Sequence, residues 1–135
     1  MTRYVIDAGV AVHLASDAVE VAGEHELLAP TLLRSEVLSL LHGMVVRDEL
    51  TTDHARTVLG RVRAMRIRLL GDRVLQDVAW QMADRLGWSE TFVAEYLALT
   101  QLQADAFVTL DAELARSALE VVRTAPIEAL LPAPR

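Results

Sequence analysis

The chain contains no cysteine among its 135 residues, and this absence excludes several kinds of site. Without cysteine, a protein forms no disulfide framework, binds no metal through thiolates and has no thiol nucleophile. No apolar run reaches the ~18–20 residues that a membrane-spanning helix needs. The first residues are interrupted by Asp7 and His13 and lack the basic start of a signal peptide. These features predict a cytoplasmic protein with no membrane partner.

Lysine is also absent, so all thirteen basic residues are arginines. The formal net charge of −6 argues against a general electrostatic attraction to nucleic acid. Five arginines nevertheless fall in an acid-free stretch between Asp53 and Asp72, namely Arg56, Arg61, Arg63, Arg66 and Arg68. Because guanidinium groups match phosphate bidentately, this cluster predicts a phosphate-binding surface. The alternative is a solvated helix face.

Histidine-based and nucleotide-binding motifs are missing as well. His13, His25, His42 and His54 show no H-x-x-H or H-E-x-x-H spacing. There is no glycine-rich phosphate loop of the Walker type and no G-x-G-x-x-G. A histidine metal site and a nucleotide cofactor are therefore not expected.

The pattern of apolar segments predicts one α/β domain over residues 1–135. Short strands are predicted at 3–7, 27–30, 67–70, 106–110 and 121–122. Helices are predicted at 10–16, 17–25, 31–49, 53–65, 72–86, 90–102 and 111–118, with caps at Thr31, Thr52 or Asp53, Asp72, Ser89 and Asp111. Strands that alternate with helices predict a three-layer sandwich with a short parallel sheet.

Two of the predicted strands end in an aspartate and run directly into a helix. The first is Tyr4-Val5-Ile6-Asp7, and the second is the segment A-F-V-T-L-D that ends at Asp111. In parallel sheets, sites form beyond the carboxyl ends of the strands, at a switch in strand order. If the two strands are neighbours, Asp7 and Asp111 share one crevice. The alternative is that each aspartate only caps its helix.

Glu36 lies within the apolar stripe of a predicted helix, three residues after Leu33 and four before Leu40. A charge on that face is costly unless another group pairs with it, so Glu36 is expected to point into the same crevice. Clustered carboxylates repel one another, and a divalent cation relieves that repulsion. Oxygen ligands alone favour Mg²⁺ or Mn²⁺. The alternative is a glutamate at the edge of the stripe that reaches water.

Four segments, in this order, resemble PIN-domain nucleases and, more narrowly, the VapC-type toxins of bacterial toxin–antitoxin modules. They are V-I-D-A-G-V, R-S-E-V-L-S-L-L, A-E-Y-L-A-L-T and A-F-V-T-L-D, and the resemblance spans residues 4–122. It implies a homodimeric endoribonuclease with a cognate antitoxin, which cleaves RNA by water activated on Mg²⁺ or Mn²⁺. Asp7, Glu36 and Asp111 match the family's catalytic metal-binding acids, and Thr109 matches a common hydroxyl position.

One position departs from the family pattern. The family has an aspartate three residues before the helix tyrosine, and Val93 occupies that position before Tyr96. Glu90, one helical turn earlier, is predicted as a substitute metal ligand. Its alternative role is a first-turn glutamate that favours the helix dipole. Glu95 is not predicted as a ligand, because it lies on another helix face.

Three functions therefore remain open on the sequence. The first is a metal-dependent ribonuclease toxin, and the second is a catalytically impaired PIN-fold module that binds antitoxin and RNA. The third is an unrelated α/β domain in which the aspartates only cap helices. The 53% hydrophobic content also predicts an exposed apolar groove around Val10–Leu14 and Leu32–Val46, covered by the antitoxin or a second copy. For RNA binding, the arginine-rich segment from Arg56 to Arg73 is expected to border the acidic crevice of its own chain or that of a dimer partner.

Overall fold

A five-stranded, fully parallel sheet forms the centre of the molecule, with strand order β3-β2-β1-β4-β5. The computed structural model describes residues 1–133. The strands are β1 (Thr2–Ile6), β2 (His25–Pro30), β3 (Ile67–Leu70), β4 (Ala106–Val108) and β5 (Thr124–Ala125). The helices are α1 (Ala8–Ser16), α2 (Leu33–Val46), α3 (Thr52–Ala64), α4 (Arg73–Leu86), α5 (Phe92–Gln103) and α6 (Ala112–Ala118), and a 3₁₀ turn covers Ile127–Leu130.

Helices cover both faces of the sheet. Connections between parallel strands are almost always right-handed, so α1, α2 and α3 lie on one face, and α4 and α5 lie on the other. The packing agrees, because α1, α2 and α3 contact one another, while α5 contacts α4 and the strands β1, β2 and β4. The predicted three-layer α/β sandwich with a short parallel sheet is confirmed. No helix within residues 1–133 is long and apolar enough to cross a membrane.

Strands β1 and β4 form the core of the sheet. Val5, Ile6, Phe107 and Val108 have no solvent exposure at all. Such strands are covered by helices on both faces, which explains why their sequences are continuous apolar runs instead of alternating patterns. Burial on both faces also allows β4 to be only three residues long.

The strand order reverses direction at the pair β1 and β4. The chain leaves β1 through α1 towards β2, and it leaves β4 through α6 towards β5 on the opposite side. The two connections diverge, and a crevice is expected beyond the carboxyl ends of strands at such a point. Asp7 directly follows β1, and Thr109 and Asp111 follow β4, so the condition that the two aspartates follow neighbouring strands is met.

The helix that was predicted at 17–25 is absent. Helix α1 ends in a left-handed turn at Ala18, whose φ is +50°. The Val19 amide donates to the Leu14 carbonyl at 3.0 Å, and the Ala18 amide donates to the Ala15 carbonyl at 3.3 Å. This pair of hydrogen bonds is the Schellman arrangement, which ends a helix and redirects the chain. Sequence periodicity missed it because the left-handed position holds alanine instead of glycine.

Several predicted boundaries also shift. Strand β4 ends at Val108 instead of 110. The strand expected at 121–122 lies at Thr124–Ala125 instead. It starts later because the Val121 and Val122 amides both donate to the Ala118 carbonyl at the end of α6. Thr31 and Ser89 do not cap the helices that follow them, and Thr51 caps α3 in place of Thr52 or Asp53. The caps predicted at Asp72 and Asp111 are confirmed, each by a carboxylate that accepts first-turn amides.

Two glycines provide a test of this backbone. Gly87 ends α4 with a φ of +72°, in the left-handed region of backbone conformation that residues with side chains rarely adopt. Gly60 lies inside α3. At both positions, an added Cβ would have no other atom within 4 Å. We expect Gly87→Ala to lower the free energy of unfolding by about 1 kcal/mol. Gly60→Ala should raise it by about 0.5–1 kcal/mol, because alanine favours helix. Urea unfolding of both variants checks this, and a change of the same sign in both would contradict the assigned helix end.

Candidate functional site

Asp7 connects the ends of β1 and β4. Its Oδ1 accepts a hydrogen bond from the Val10 amide at 3.0 Å, which caps α1. Its Oδ2 accepts a hydrogen bond from the Thr109 hydroxyl at 2.6 Å. The first bond is the ordinary capping role of an aspartate at a strand–helix turn. The second is a tertiary contact that capping does not require.

The pKa of Asp7 is raised above its ordinary value. Burial is the largest cause, because it disfavours the charged form. The hydrogen bonds from Thr109 and from the Val10 amide oppose this shift, and the negative charge of Asp111 adds to it. The charge of Asp111 therefore affects the ionisation of Asp7.

Asp111 caps α6 while it lies beside Thr109. Its Oδ1 accepts hydrogen bonds from the Glu113 and Leu114 amides, both at 3.0 Å. The Thr109 hydroxyl accepts a hydrogen bond from the Asp111 amide at 3.2 Å. Because a hydroxyl can donate one hydrogen bond and accept others, Thr109 joins the two aspartates.

Glu36 extends from the first turn of α2 and meets a buried phenol. The Tyr96 hydroxyl donates to Glu36 Oε1 at 2.5 Å, and Tyr96 is only 3% exposed. Helices α2 and α5 lie on opposite faces of the sheet, so this hydrogen bond crosses the carboxyl edge. The Glu36 side chain thus points towards the sheet, where Tyr96 is its hydrogen-bond partner.

The pKa of the Tyr96 phenol responds to the charges of three carboxylates. Burial raises the pKa of Tyr96 far above its ordinary value, and the hydrogen bond to Glu36 and the charge of Glu36 add to the effect. The charges of Asp7 and Glu95 raise it further. The phenol therefore keeps its proton throughout the physiological range and is a permanent donor. Of these acids, Glu36 is the one that also accepts a hydrogen bond from the phenol.

Glu95 is the acid that the sequence reasoning missed. Burial raises the pKa of Glu95, and the negative charge of Glu36 raises it further. The prediction compared Glu95 only with the helix face of Val93. However, α5 begins at the carboxyl edge of the sheet, so every residue of its first turn lies near that edge. The position of Glu95 next to Tyr96 was the available signal.

Glu90 is placed differently from its prediction. Helix α5 begins at Phe92, so Glu90 precedes the helix and does not lie one turn before Val93 on a common face. The reason for predicting it is wrong. Its side chain helps to line a shallow cavity of about 390 Å³ with Trp88, Phe92, Val93 and Leu114. A role for Glu90 as a metal ligand stays a prediction.

The arginine cluster lies away from the carboxyl edge of the sheet that carries Asp7, Glu36, Glu95 and Asp111, which we call the acidic edge. Arg61 donates to the Ala15 carbonyl at 3.1 Å, at the end of α1 opposite to Asp7. Arg66 lines a cavity with Met1 and His25, where β1 and β2 begin, and Arg68 pairs with Glu26 at 3.5 Å. Helix α3 leads into β3 at the amino end of the sheet, which carries these residues away from the crevice. RNA contacts by Arg56, Arg61, Arg63, Arg66 and Arg68 stay a prediction.

The donor chemistry of the acidic edge fits a hard cation. Asp7, Glu36, Asp111 and Glu95 supply only oxygen ligands, and together they carry an excess of negative charge. Neither Glu36 Oε2 nor Asp111 Oδ2 accepts a hydrogen bond from residues 1–133. Across this described part of the chain, no three acidic or histidine side chains are grouped in a way that could hold a metal ion. The residue types alone suit Mg²⁺ or Mn²⁺, and binding of either cation stays a prediction.

A separate groove of about 600 Å³ lies between α2, α3 and β3. Its lining includes Leu33, Leu38 and Val62, with Arg34 and Arg63 beside them. The groove was predicted to involve residues 10–14 as well. That part is wrong, because α1 packs against α2 and α3, and most of its apolar side chains are buried.

Comparisons with known proteins identify the fold and leave the family open. No family model and no curated protein matches the chain. The solved structure of PAE2754 from Pyrobaculum aerophilum is similar, with a TM-score of 0.65 and 19% sequence identity. The match covers 96% of this chain and 92% of that chain. At this identity, the similarity supports the α/β fold alone.

The raised pKa of Asp7 predicts a pH-dependent stability. The folded state binds the Asp7 proton more tightly than the unfolded state, so ionisation of Asp7 costs stability once the pH exceeds the unfolded value near 3.8. In a metal-free buffer, Asp7→Asn should be more stable than the wild type at pH 7. Its advantage should shrink as the pH falls towards that value. Urea unfolding of both proteins between pH 4 and 7.5 measures the difference. An advantage that does not change with pH would contradict the assigned burial.

Proposed function

We propose that the protein is a cytoplasmic, Mg²⁺- or Mn²⁺-dependent endoribonuclease, the toxin of a toxin–antitoxin pair. The proposal is supported most directly by Asp7 and Asp111, which follow two neighbouring strands, and by Glu36, which begins the helix after β2 and accepts a hydrogen bond from the buried Tyr96. Thr109 joins the two aspartates, and Tyr96 responds to the charges of both Asp7 and Glu36. The resemblance to PIN-domain nucleases adds the reaction and the partner.

Capping alone is a weaker account of these residues. Asp7 and Asp111 do cap α1 and α6, as they would in an unrelated α/β domain. Capping requires neither the Thr109 hydrogen bond to Asp7 nor the Tyr96 hydrogen bond to Glu36. Each contact fixes a carboxylate at the carboxyl edge of the sheet, and burial, with a smaller effect of the Asp111 charge, raises the pKa of Asp7 there. An arrangement that costs stability at a strand-end crevice is typical of a functional site.

The proposed site divides its work between three acids and one hydroxyl. Asp7, Glu36 and Asp111 would hold the cation, and Thr109 orients Asp7. A divalent cation in such a site activates water and neutralises charge on the phosphodiester. The acids without a cation repel RNA, so binding of the metal and binding of the substrate are expected to be coupled.

A catalytically impaired module that binds antitoxin and RNA is the second candidate. Val93 favours it, because this half-exposed side chain cannot bind a metal at the position where the family has aspartate. Val93 lines the shallow cavity with Phe92 and Leu114. In this case the same edge binds the cation more weakly, and cleavage is slow.

The groove between α2 and α3 supports a protein partner. Its apolar lining, together with Arg34 and Arg63, suits a segment that carries both apolar and acidic residues. We assign this role to the antitoxin and leave the homodimer contact to another surface. An antitoxin that binds Leu38→Glu as tightly as the wild type would contradict this assignment.

Cleavage of total RNA tests the proposed activity. The wild type should cleave with Mg²⁺ or Mn²⁺ and should stop when EDTA is added. Asp7→Asn should reduce the rate by about 100-fold, because it removes a charged ligand but keeps the cap on α1. Asp72→Asn, a change at the cap of α4, is the matched control and should retain activity. Cleavage that is insensitive to EDTA or to Asp7→Asn would contradict the proposal.

Restoring a carboxylate at position 93 separates the two candidate functions. Val93→Asp should raise Mn²⁺ affinity by about ten-fold, because affinity follows the number of charged ligands, and it should speed up cleavage. Calorimetry measures the change in Mn²⁺ affinity, and the RNA assay measures the change in cleavage.

The variants Glu95→Gln and Glu90→Gln test the other two acids near position 93. If Glu95 contributes to the site, Glu95→Gln should weaken Mn²⁺ binding and Glu90→Gln should not. No response to any of the three changes would place the first turn of α5 outside the site.

A further inference from the structure

We infer that Tyr96 is a positioning residue, whose hydroxyl holds Glu36 at the cation site. Helix α5 then contributes to the site through this hydroxyl as well as through any carboxylate. The inference rests on the proposed function, because it assigns Tyr96 a role in the same site. It does not depend on the identity of the RNA or of the antitoxin.

The ring of Tyr96 is fixed by the core of the protein. Tyr96 packs against Phe107, with ring centroids 6.2 Å apart, and Phe107 is fully buried on β4. Its neighbours Ala94 and Leu97 are also fully buried. A ring held on this many sides has little freedom, so its hydroxyl reaches a defined point at the carboxyl edge of the sheet.

Glu36, in contrast, has little else to hold it. It lies in the first turn of α2, which begins without a side-chain cap. A partly exposed glutamate has three rotatable bonds and can turn towards water. The hydrogen bond from Tyr96 selects one of these orientations. It occupies Oε1 and leaves Oε2 available to a ligand.

A second pair of residues at the carboxyl edge of the sheet has the same arrangement. Thr109, from the segment after β4, donates to Asp7 after β1, and Tyr96 of α5 donates to Glu36 of α2. In each pair, a hydroxyl from one element holds a carboxylate of another. Proteins commonly orient metal-binding carboxylates through such hydrogen bonds. Asp111 differs, because the backbone amides of its own helix hold it.

The surroundings of the phenol suit this role. The hydroxyl is the only hydrogen-bond donor of the Tyr96 side chain, and it donates to Glu36 Oε1 at 2.5 Å. Phenylalanine would preserve the packing on Phe107 but would remove this donor.

Mn²⁺ binding to the metal-free protein, measured by calorimetry, tests the inference without relying on cleavage. Tyr96→Phe should weaken Mn²⁺ binding by about ten-fold, as is typical when the partner of a ligand is removed. Tyr4→Phe is the matched control. Tyr4 is also buried, at 8% exposure, but its ring packs against His25 near the start of β1. Tyr4→Phe should bind Mn²⁺ like the wild type.

A second background separates positioning from general damage to the fold. In Glu36→Gln, the ligand charge is already lost, so adding Tyr96→Phe should produce no further loss of Mn²⁺ affinity. An equal loss in both backgrounds would overturn the positioning role, since it would mean that Tyr96 acts through the fold. If Glu36→Gln weakens binding but Tyr96→Phe does not, the inference is wrong and the proposed site stands. If Mn²⁺ does not bind, or if Glu36→Gln leaves Mn²⁺ binding unchanged, the proposed cation site is wrong, and the role of Tyr96 falls with it.

Discussion

The parallel pairing of β1 with β4 is the constraint on which the rest of the site depends. Ile6 lies opposite Val108 in this pair, so the residues that follow each strand emerge side by side at one edge of the sheet. Both strands are buried on both faces, which fixes their register through close packing. A shift of one residue would turn these apolar side chains towards the wrong layer. The hydrogen bond between Thr109 and Asp7 therefore depends on the packing of these two strands.

The acidic edge works against the stability of the fold. Burial raises the pKa of Asp7, and burial together with the charges of nearby acids raises the pKa of Tyr96. The fold offsets part of this cost with hydrogen bonds from hydroxyls, which come from Thr109 and Tyr96. A divalent cation would offset much of the remainder, because it balances the charge that the hydroxyls only orient. The unfavourable electrostatics of the metal-free protein and its proposed affinity for Mg²⁺ or Mn²⁺ thus have one physical origin.

The sequence predicted those parts of the molecule that depend on local pattern. Apolar runs that end in aspartate located β1, β4 and the two N-caps, and an unexpected charge in a helical stripe located Glu36. Contacts between distant elements were harder to predict. The role of Tyr96 depends on how α5 crosses the sheet, and the proximity of Glu95 depends on where that helix begins. Glu90 was misplaced because the start of α5 was set two residues too early. The sequence left open whether the arginine cluster lies at the crevice of its own chain or at that of a dimer partner, because sequence distance carries no information about which end of the sheet a segment reaches.

The central claim is that Asp7, Glu36 and Asp111 form one divalent cation site. Crystals of the protein grown with Mn²⁺ test it most directly through the anomalous scattering of the metal. The account predicts an anomalous peak among these three carboxylates, at about 2.0–2.2 Å from at least two of their oxygens, as oxygen-ligated small divalent cations require. At saturating Mn²⁺, no peak at this edge, or a peak bound by other residues alone, would contradict it.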